Sequence, residues 1–600
     1  MEVGTAAVPA REAGTATPTV AAQIAADVQK HAGKPALRHK VGDDWRDISY
    51  DELGQAVREI ALGLVDIGIE PRDRAAILSH TRPEWTFANF GILTAGATSV
   101  SIYQTNSPEE CHYVLDHSEA RAVFVEDGEQ LAKIRAIEKD LPALDHVIVM
   151  APEPGLELGD AITLAELRER GSRRDPAEWK QRIDGVSPDD PCVFIYTSGT
   201  TGPPKGCVLT HGNYVAIRDM IFEEGVLEEN ELAYLFLPLA HSFALLIQFL
   251  VIDLGATLAY WEKDPQKIIA NLMEVKPTYF PSVPRIFEKL YTMAMANAPD
   301  PDQLRKAVEV GIAVRQAQER GEEVPAELRA AFDQAEESLY KNVRALFGGR
   351  MRYCASGAAP IGKEILEFFY ACGVPVLEGW GMTETSTAAT VNRPDDFRLG
   401  SVGKPLSGVE VKIAEDGEVL LRGPNIFREY WRNPEATREA LADGWLHTGD
   451  VGRLDEDGFL YITGRKKDII ITAGGKNITP ANLENDIKQS RWVSQCVVVG
   501  DRRPYLVALI TLDPEEVPAF AQEHGLDPDD VPGSEQMRAE IQKVVDETNA
   551  KVGRVEQIKR FAILPEDLSQ ATGELTPTLK VKRNVVVEKF AAVIEELYRR

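Results

Sequence analysis

The sequence predicts an α/β fold, with a large N-terminal domain of α/β layers plus a β-rich module, followed by a small α+β C-terminal domain. Three observations lead there. Between residues 75 and 125 short apolar runs alternate with helical patterns, the signature of a parallel sheet covered by helices. From Gly400 to about Gly464 the apolar runs shorten and are broken by Gly, Asp and Pro, as in a small β-rich module. After Arg465 the pattern changes again, to a basic turn, short strands and long helices. A chain of 600 residues is also too long for one core. The expected boundaries are a flexible tail over 1–18, an N-terminal domain over 19–465 with a helical insertion at about 298–348, and a C-terminal domain over 466–600.

In chain order, residues 1–18 are Ala/Thr-rich and lack the charged start and apolar block of a signal peptide. Ser49 and Glu52 stand at capping-box spacing before Leu53, Val57, Ile60 and Leu64, which mark an amphipathic helix. A strand at Ala75–Ser79, a helix near Glu84–Leu93, a strand at Thr98–Tyr103, a helix begun by Pro108 and a strand at Ala122–Val125 follow. The region up to about 185 reads as one α/β layer. A second unit begins near Pro191, where Cys192-Val193-Phe194-Ile195 is a buried strand feeding the loop Tyr196–Gly206, YTSGTTGPPKG. The prolines of Thr278–Arg285 break a strand and start a helix at Ile286. Phe243–Tyr260 is the most apolar stretch, but Gln248 and Asp253 interrupt it, so it reads as core and not as a membrane span.

From Pro301 to about Leu346 the chain is charged, with Leu328, Phe332, Ala335, Leu339, Val343 and Leu346 on one helical face. That pattern reads as a helical hairpin packed on the domain surface, with a partner or membrane contact as the alternative. A third unit starts at Met351, where Cys354–Pro360 is a strand turning into a helix at Ile361, and Pro375–Glu378 is a strand running into GWGMTET. In the C-terminal region, strands at Cys496–Val499 and Leu506–Leu512 and helices near 535–550 and 584–598 are expected.

The formal charge of −28 argues against nucleic acid as a partner and against broad adhesion to anionic lipid. Any anionic ligand must meet a locally basic patch. Six cysteines form neither a CxxC pair nor a metal-ligand cluster, which fits buried thiols in a reducing compartment, and hence a cytoplasmic protein.

In the loop Tyr196–Gly206 glycines let backbone N–H groups approach an anion, Ser198, Thr200 and Thr201 add hydroxyls, and Lys205 adds a positive charge. A Gly/Ser/Thr-rich loop after a strand is by itself often only a turn. Nor is this GxxxxGK[ST], since Gly206 and Cys207 follow Lys205 where a magnesium-binding hydroxyl would stand. The order TSGTTGxPKG closely resembles the phosphate loop of the adenylate-forming superfamily of acyl-CoA synthetases, luciferases and adenylation domains. LPLAHSF, SGAAP, GWGMTET, GWLHTGD, GRKKDIIITAGGKNITP and TPTLKVKR follow in the family's order, so the resemblance covers most of the chain from about residue 20.

The resemblance implies roles residue by residue, with ATP, Mg²⁺ and coenzyme A as reactants and a mobile C-terminal domain. Thr197, Ser198, Gly199, Thr200, Thr201, Gly202 and Lys205 would enclose the leaving phosphates, and Glu384 beside Thr383 would hold Mg²⁺ with Thr197 nearby. Gly357 and Ala358 of SGAAP would border adenine, with Trp380 between Gly379 and Gly381 stacking on it. Many relatives carry Tyr there. Asp450 would accept the ribose hydroxyls, and Arg465 would donate to ribose or phosphate. Lys580 would sit over the carboxylate and α-phosphate, although a Lys near Lys582 and Arg583 is ordinarily a solvated charge. Lys467 marks the hinge about which relatives rotate, presenting Ala473-Gly474-Gly475-Lys476 to pantetheine.

His241-Ser242-Phe243 offers no anion to a substrate amine; a lone His beside an apolar run is often structural, and it is the motif resemblance that implies a place for His241 beside the acyl carboxylate. The apolar run after it, SVPRIFEKLY and the helical insertion resemble bacterial long-chain fatty acid–CoA ligases in particular. A fatty acid is thus the expected substrate, in a cytoplasmic protein with room for peripheral contact at the inner membrane face. An aryl- or medium-chain acid CoA ligase, a ligase feeding a carrier protein and a catalytically silent scaffold stay open as alternatives.

Overall fold

The computed structural model describes residues 18–197, 203–296, 301–473, 476–576 and 580–599. Two large sheets carry the N-terminal part. In the first, Arg74–Leu78 lies between Thr98–Ile102 and Ala120–Val125. The sheet continues through His146–Val149 and Ile162–Thr163 on one side and Pro191–Thr197, Lys205–Thr210 and Glu429–Tyr430 on the other. The second runs from Lys404–Pro405 through Thr390–Val391, Val376–Trp380, Tyr353–Ser356, Tyr279–Ser282, Leu232–Leu235 and Thr257–Tyr260 to Pro35–Val41 and Asp44–Ser49. Helices predicted at Pro108 and near Glu84–Leu93 are present as Pro108–Ser118 and Pro83–Thr94.

The sheets do not respect the divisions expected near residues 185 and 351. Strand Pro191–Thr197 pairs in parallel with Thr98–Ile102 in the first sheet, and Pro35–Val41 pairs in parallel with Thr257–Tyr260 in the second. Tyr353–Ser356 pairs with Tyr279–Ser282, so no new unit begins at Met351. The physical reason is that parallel neighbours are joined by crossovers, and an apolar run does not encode which strand it will sit beside.

Helix Tyr50–Asp66 starts on the expected box, with Ser49 Oγ accepting from the Glu52 N–H at 3.2 Å and Glu52 accepting from the Ser49 N–H at 2.7 Å. It crosses helix Leu164–Ser172 backbone to backbone. A Cβ on Gly171 would lie 1.8 Å from the Glu59 carbonyl oxygen, and one on Gly63 would lie 2.3 Å from that of Leu167. Helices Pro83–Thr94 and Ser242–Asp253 are buried almost all round in the core between the sheets. Among the described residues no helix is long and apolar enough to cross a membrane.

Helices Pro301–Glu319, Ala326–Ala335 and Lys341–Leu346, and Tyr340 between the last two, share through Leu304, Ala335, Tyr340 and Val343 one apolar cluster with helix Lys363–Cys372. A four-stranded antiparallel sheet, Glu410–Ile413, Glu418–Arg422, Leu446–Leu454 and Leu460–Arg465, forms the β-rich module. Beyond it, Val493–Val499, Leu506–Leu512 and Ile558–Ile563 make a three-stranded sheet. Leu506, Ala508 and Ile510 face one apolar cluster and Val507 and Leu509 the other, which is why that strand is apolar without alternation.

A buried polar knot pins the N-terminal helix Val20–Lys30 to the end of Ser242–Asp253. Gln23 Nε2 donates to Asp27 Oδ1 at 2.8 Å and to Asp253 Oδ1 at 2.7 Å, and Arg218 Nε lies 3.2 Å from Asp253 Oδ2. Burial, reinforced by the mutual repulsion of the two carboxylates, raises Asp27 above the ordinary Asp range. The folded state therefore binds a proton that the unfolded chain releases near 3.8. Stability conferred by that proton is complete at low pH and declines as pH climbs toward the raised value. Asp27→Asn should flatten this slope: its thermal midpoint relative to the parent should be higher at pH 8 than at pH 5. Equal differences at both pH values, followed by differential scanning fluorimetry, would contradict the assignment.

Candidate functional site

The loop singled out in the sequence springs from an antiparallel hairpin in which Tyr196 pairs with Gly206 and Thr197 with Lys205. Ser198, Gly199, Thr200, Thr201 and Gly202 lie outside the described residues. The stalk is braced from helix Pro108–Ser118. Tyr113 OH donates to the Pro204 carbonyl at 2.9 Å, and Tyr196 OH lies 2.9 Å from His117 Nδ1. Burial pushes the His117 imidazole down and the Tyr196 phenol up, so the phenol is the donor. The Trp431 backbone N–H donates to the Gly206 carbonyl at 2.7 Å, and its indole N–H to the His117 carbonyl at 3.0 Å.

Glu384 stands in a buried turn, Thr383–Thr385, beyond the end of strand Val376–Trp380. Gly381 is required where the chain folds back, since a Cβ there would lie 2.2 Å from the Thr387 carbonyl oxygen. Thr385 Oγ1 donates to the Met382 carbonyl at 2.9 Å, and Asn425 Nδ2 donates to the carbonyls of Thr385 and Ala388 at 3.2 and 2.8 Å. Tyr430 OH donates to Glu384 Oε1 at 2.5 Å, and the Lys205 ammonium lies 4.9 Å from the centre of the Tyr430 ring. Burial and the adjacent carboxylate raise the Tyr430 phenol, which keeps it a donor. One aromatic residue thus couples Lys205 to Glu384.

Trp380, Asp450 and Arg465 form a second cluster. Trp380 Nε1 donates to Asp450 Oδ2 at 2.9 Å, and Arg465 Nε donates to Asp450 Oδ1 at 2.8 Å. Asp450 and Arg465 oppose each other across adjacent antiparallel strands, so their pairing is built into the register. The Arg465 guanidinium is raised first by Asp450. Each Asp450 oxygen retains a lone pair for a further donor. Gly357 faces the same region: a Cβ there would lie 3.6 Å from the Gly379 carbonyl oxygen and 3.7 Å from the Phe243 ring. Ala358 turns the chain with φ of 70°.

Lys580 reaches this cluster from a distant part of the chain. Its hairpin is closed by the Thr576 N–H donating to the Lys580 carbonyl at 2.8 Å and the Lys582 N–H donating to the Glu574 carbonyl at 2.7 Å. The surrounding protein and the Arg465 guanidinium hold its ammonium below the usual lysine range, against the pull of Asp450 and Glu384. The residue still borders solvent. Lys580 also faces His241. Burial, with Lys580 adding to it, pushes the His241 imidazole down to about 3. Its Nδ1 accepts from the Phe243 N–H at 3.2 Å, which leaves the proton of the neutral ring on Nε2. His241 is therefore a neutral donor, and it caps the buried helix Ser242–Asp253.

Two predicted residues stand elsewhere. Lys476 Nζ pairs with Glu556 Oε1 at 3.1 Å inside the C-terminal unit, and Gly475 lies outside the described residues. Lys467 is exposed in the turn that follows Arg465. Sequence reasoning missed Tyr430, 46 positions from Glu384, and the Tyr113–His117 brace, for which no spacing signal exists. It also passed over Glu378, which burial pushes up to about 8 and whose Oε2 is buried without a hydrogen-bond partner. Among the described residues no cluster of three His, Cys, Asp or Glu side chains could hold a metal alone. Mg²⁺ is usually held by one or two carboxylates together with substrate phosphates. Glu384, with one oxygen on Tyr430, fits such a site.

Residues 24–431 match the family described as AMP-binding enzyme, and residues 467–600 match its C-terminal domain. The chain is 40% identical to the long-chain-fatty-acid–CoA ligase FadD15 of Mycobacterium bovis, covering 93% of each chain. It is 34% identical to the long-chain-fatty-acid–CoA ligase ACSBG2 of Xenopus laevis, covering 95% of this chain and 82% of that protein. Among solved structures, the anthranilate CoA ligase AuaEII in complex with anthranoyl-AMP has a TM-score of 0.73 at 23% identity, covering 97% of this chain and 99% of that one. The Mycobacterium tuberculosis fatty acyl CoA synthetase has a TM-score of 0.60 at 22% identity, covering 96% and 99%. At those identities the likeness is one of fold.

The Trp380–Asp450 bond generates a test. Trp380→Phe keeps an aromatic face but removes the N–H, so steady-state kinetics should show KM for ATP rising by about tenfold with kcat changed far less. An unchanged KM would mean that Asp450 is positioned without it.

Proposed function

The chain belongs to the AMP-binding enzyme family, and from that premise we propose that it is an ATP-dependent long-chain fatty acid–CoA ligase. It joins a fatty acid carboxylate to AMP with release of pyrophosphate, then transfers the acyl group to the thiol of coenzyme A with release of AMP. The observation that carries the reading is the convergence of His241, Asp450 and Glu384 within electrostatic reach of Lys580, with His241 capping an apolar helix.

In the first half-reaction two anions must meet, and the residues are arranged to lower that barrier. Lys580 lies over the acid oxygen and the α-phosphate, where positive charge counts most. His241 donates from Nε2 to the acyl carboxylate and, being neutral, takes no proton from it. Trp380 and the Gly357–Ala358 turn hold adenine, Asp450 accepts from the ribose hydroxyls, and Arg465 fixes Asp450. The 197–205 loop, with Lys205, encloses the phosphates that leave. Glu384 and Thr197 would hold Mg²⁺, which when bound neutralises charge on the departing pyrophosphate.

For the second half-reaction the C-terminal unit turns about Lys467, withdraws Lys580 and brings the loop of Gly475 and Lys476 to the cleft. The present pairing of Lys476 with Glu556 leaves it free of the nucleotide residues, which supports a two-position account. The six buried free thiols support a cytoplasmic setting.

Acyl selectivity would come from apolar burial, where each methylene contributes about 0.8 kcal/mol, or about fourfold in kcat/KM. Pyrophosphate release should therefore climb with chain length across graded fatty acids and exceed that with aryl acids, and acyl-CoA should accumulate only when coenzyme A is present. Preference for an aryl or medium-chain acid would overturn the substrate class. No pyrophosphate with any acid would overturn the activity.

A further inference from the structure

The C-terminal unit touches the large domain at a second place, away from the nucleotide. Helix Pro284–Ala296 carries Arg285 and Lys289 one turn apart. Arg285 Nη2 donates to Asp513 Oδ2 at 2.6 Å, and Lys289 Nζ donates to Glu515 Oε2 at 2.5 Å, across 228 and 226 positions of sequence. The acidic turn is preformed. Asp513 Oδ1 accepts from the Glu515 N–H at 3.0 Å, and the Asp513 N–H donates to the Trp492 carbonyl at 3.0 Å. Arg285 thus meets an anion already fixed in place, and the pair is about one-third and one-fifth exposed, more sheltered than an ordinary surface pair.

The turn is mechanically joined to Lys580. Asp513 directly follows strand Leu506–Leu512, whose Val507 and Leu509 share an apolar cluster with Leu575 and Val581 of the Lys580 hairpin. Whatever holds Asp513 against the helix therefore holds Lys580 in the cleft. A rotation that withdraws Lys580 has to separate both ion pairs.

We propose that Arg285 and Lys289 form a latch with Asp513 and Glu515 that holds Lys580 over the nucleotide during adenylation and opens before thioester formation. They are positioning residues for the first half-reaction, an inference that rests on the two-step ligase reading above. In a chain of net charge −28, a pair of cations facing an acidic turn also gives the unit one preferred docking place. Because both pairs reach solvent, rising salt weakens the latch while leaving the buried contacts of each unit intact.

The test needs two readouts, one independent of chemistry. All six native cysteines are buried, so cysteines introduced at the exposed positions Lys306 and Glu547 take spin labels selectively. Without substrates, the parent should give one narrow distance distribution, and Arg285→Ala/Lys289→Ala should broaden it toward longer distances. In the unlabelled protein, the double variant should lose about threefold to tenfold in acyl-adenylate formation. It should keep or gain thioester formation from supplied acyl-adenylate and coenzyme A. The exchanged pair Arg285→Asp/Asp513→Arg should restore both the distance and the adenylation rate relative to Arg285→Asp alone. An unchanged distance distribution, equal loss in both half-reactions or failure of the exchanged pair to restore would each overturn the latch. A changed distance in a protein that adenylates no acid would preserve the docking role and overturn the ligase reading instead.

Discussion

The Lys580 ammonium faces two carboxylates, Asp450 and Glu384, and one guanidinium, Arg465, none of them near it in sequence. Bringing these groups within electrostatic reach of one another is the constraint on which the rest of the structure depends. Left in water, each would be solvated and inert toward the others, because a high dielectric weakens such interactions. In the folded chain the large domain fixes Glu384 through Tyr430 and a buried turn, and fixes Asp450 through Trp380 and Arg465. Only the cation arrives from elsewhere. Its ammonium is held below the ordinary lysine range by crowding and by Arg465, a cost that a polyanionic nucleotide would relieve.

Rigid and movable parts divide accordingly. The 197–205 hairpin is tied to two separate segments, helix Pro108–Ser118 through Tyr113 and His117 and the chain at Trp431, which fixes its base. His241 is anchored as the cap of a buried helix and kept neutral by burial. By contrast, the contacts between the C-terminal unit and the large domain include charged pairs, Arg285 with Asp513 and Lys289 with Glu515 among them. Such pairs stabilise weakly and can be broken without unpacking a core. On the two-position proposal, a unit that leaves Asp450 and Glu384 and returns to them is better held this way than by an apolar interface.

Much of this was legible in the sequence. The capping box at Ser49, the strand entering the phosphate loop, the strand Leu506–Leu512 and the C-terminal helices follow from local periodicity and turn chemistry. Glu384, Trp380, Asp450, Arg465, His241 and Lys580 were named through motif order, and the structure brings them to one region. What local pattern could not reveal was partnership. Strand Pro191–Thr197 joins the first sheet and Pro35–Val41 the second because pairing is decided by crossover connections. Tyr430 on Glu384 and Arg285 on Asp513 are likewise long-range contacts whose residues, read alone, are an ordinary aromatic and an ordinary surface charge.

The central claim is that the cation completing the adenylation site belongs to the movable C-terminal unit and serves that step alone. The most direct measurement is single-turnover kinetics of Lys580→Ala in each half-reaction separately. Acyl-adenylate formation from fatty acid and ATP should fall by at least about 100-fold, while thioester formation from supplied acyl-adenylate and coenzyme A should stay close to that of the parent. Equal loss in both steps would contradict the account, because Lys580 would then act in a single fixed site and not in one of two positions.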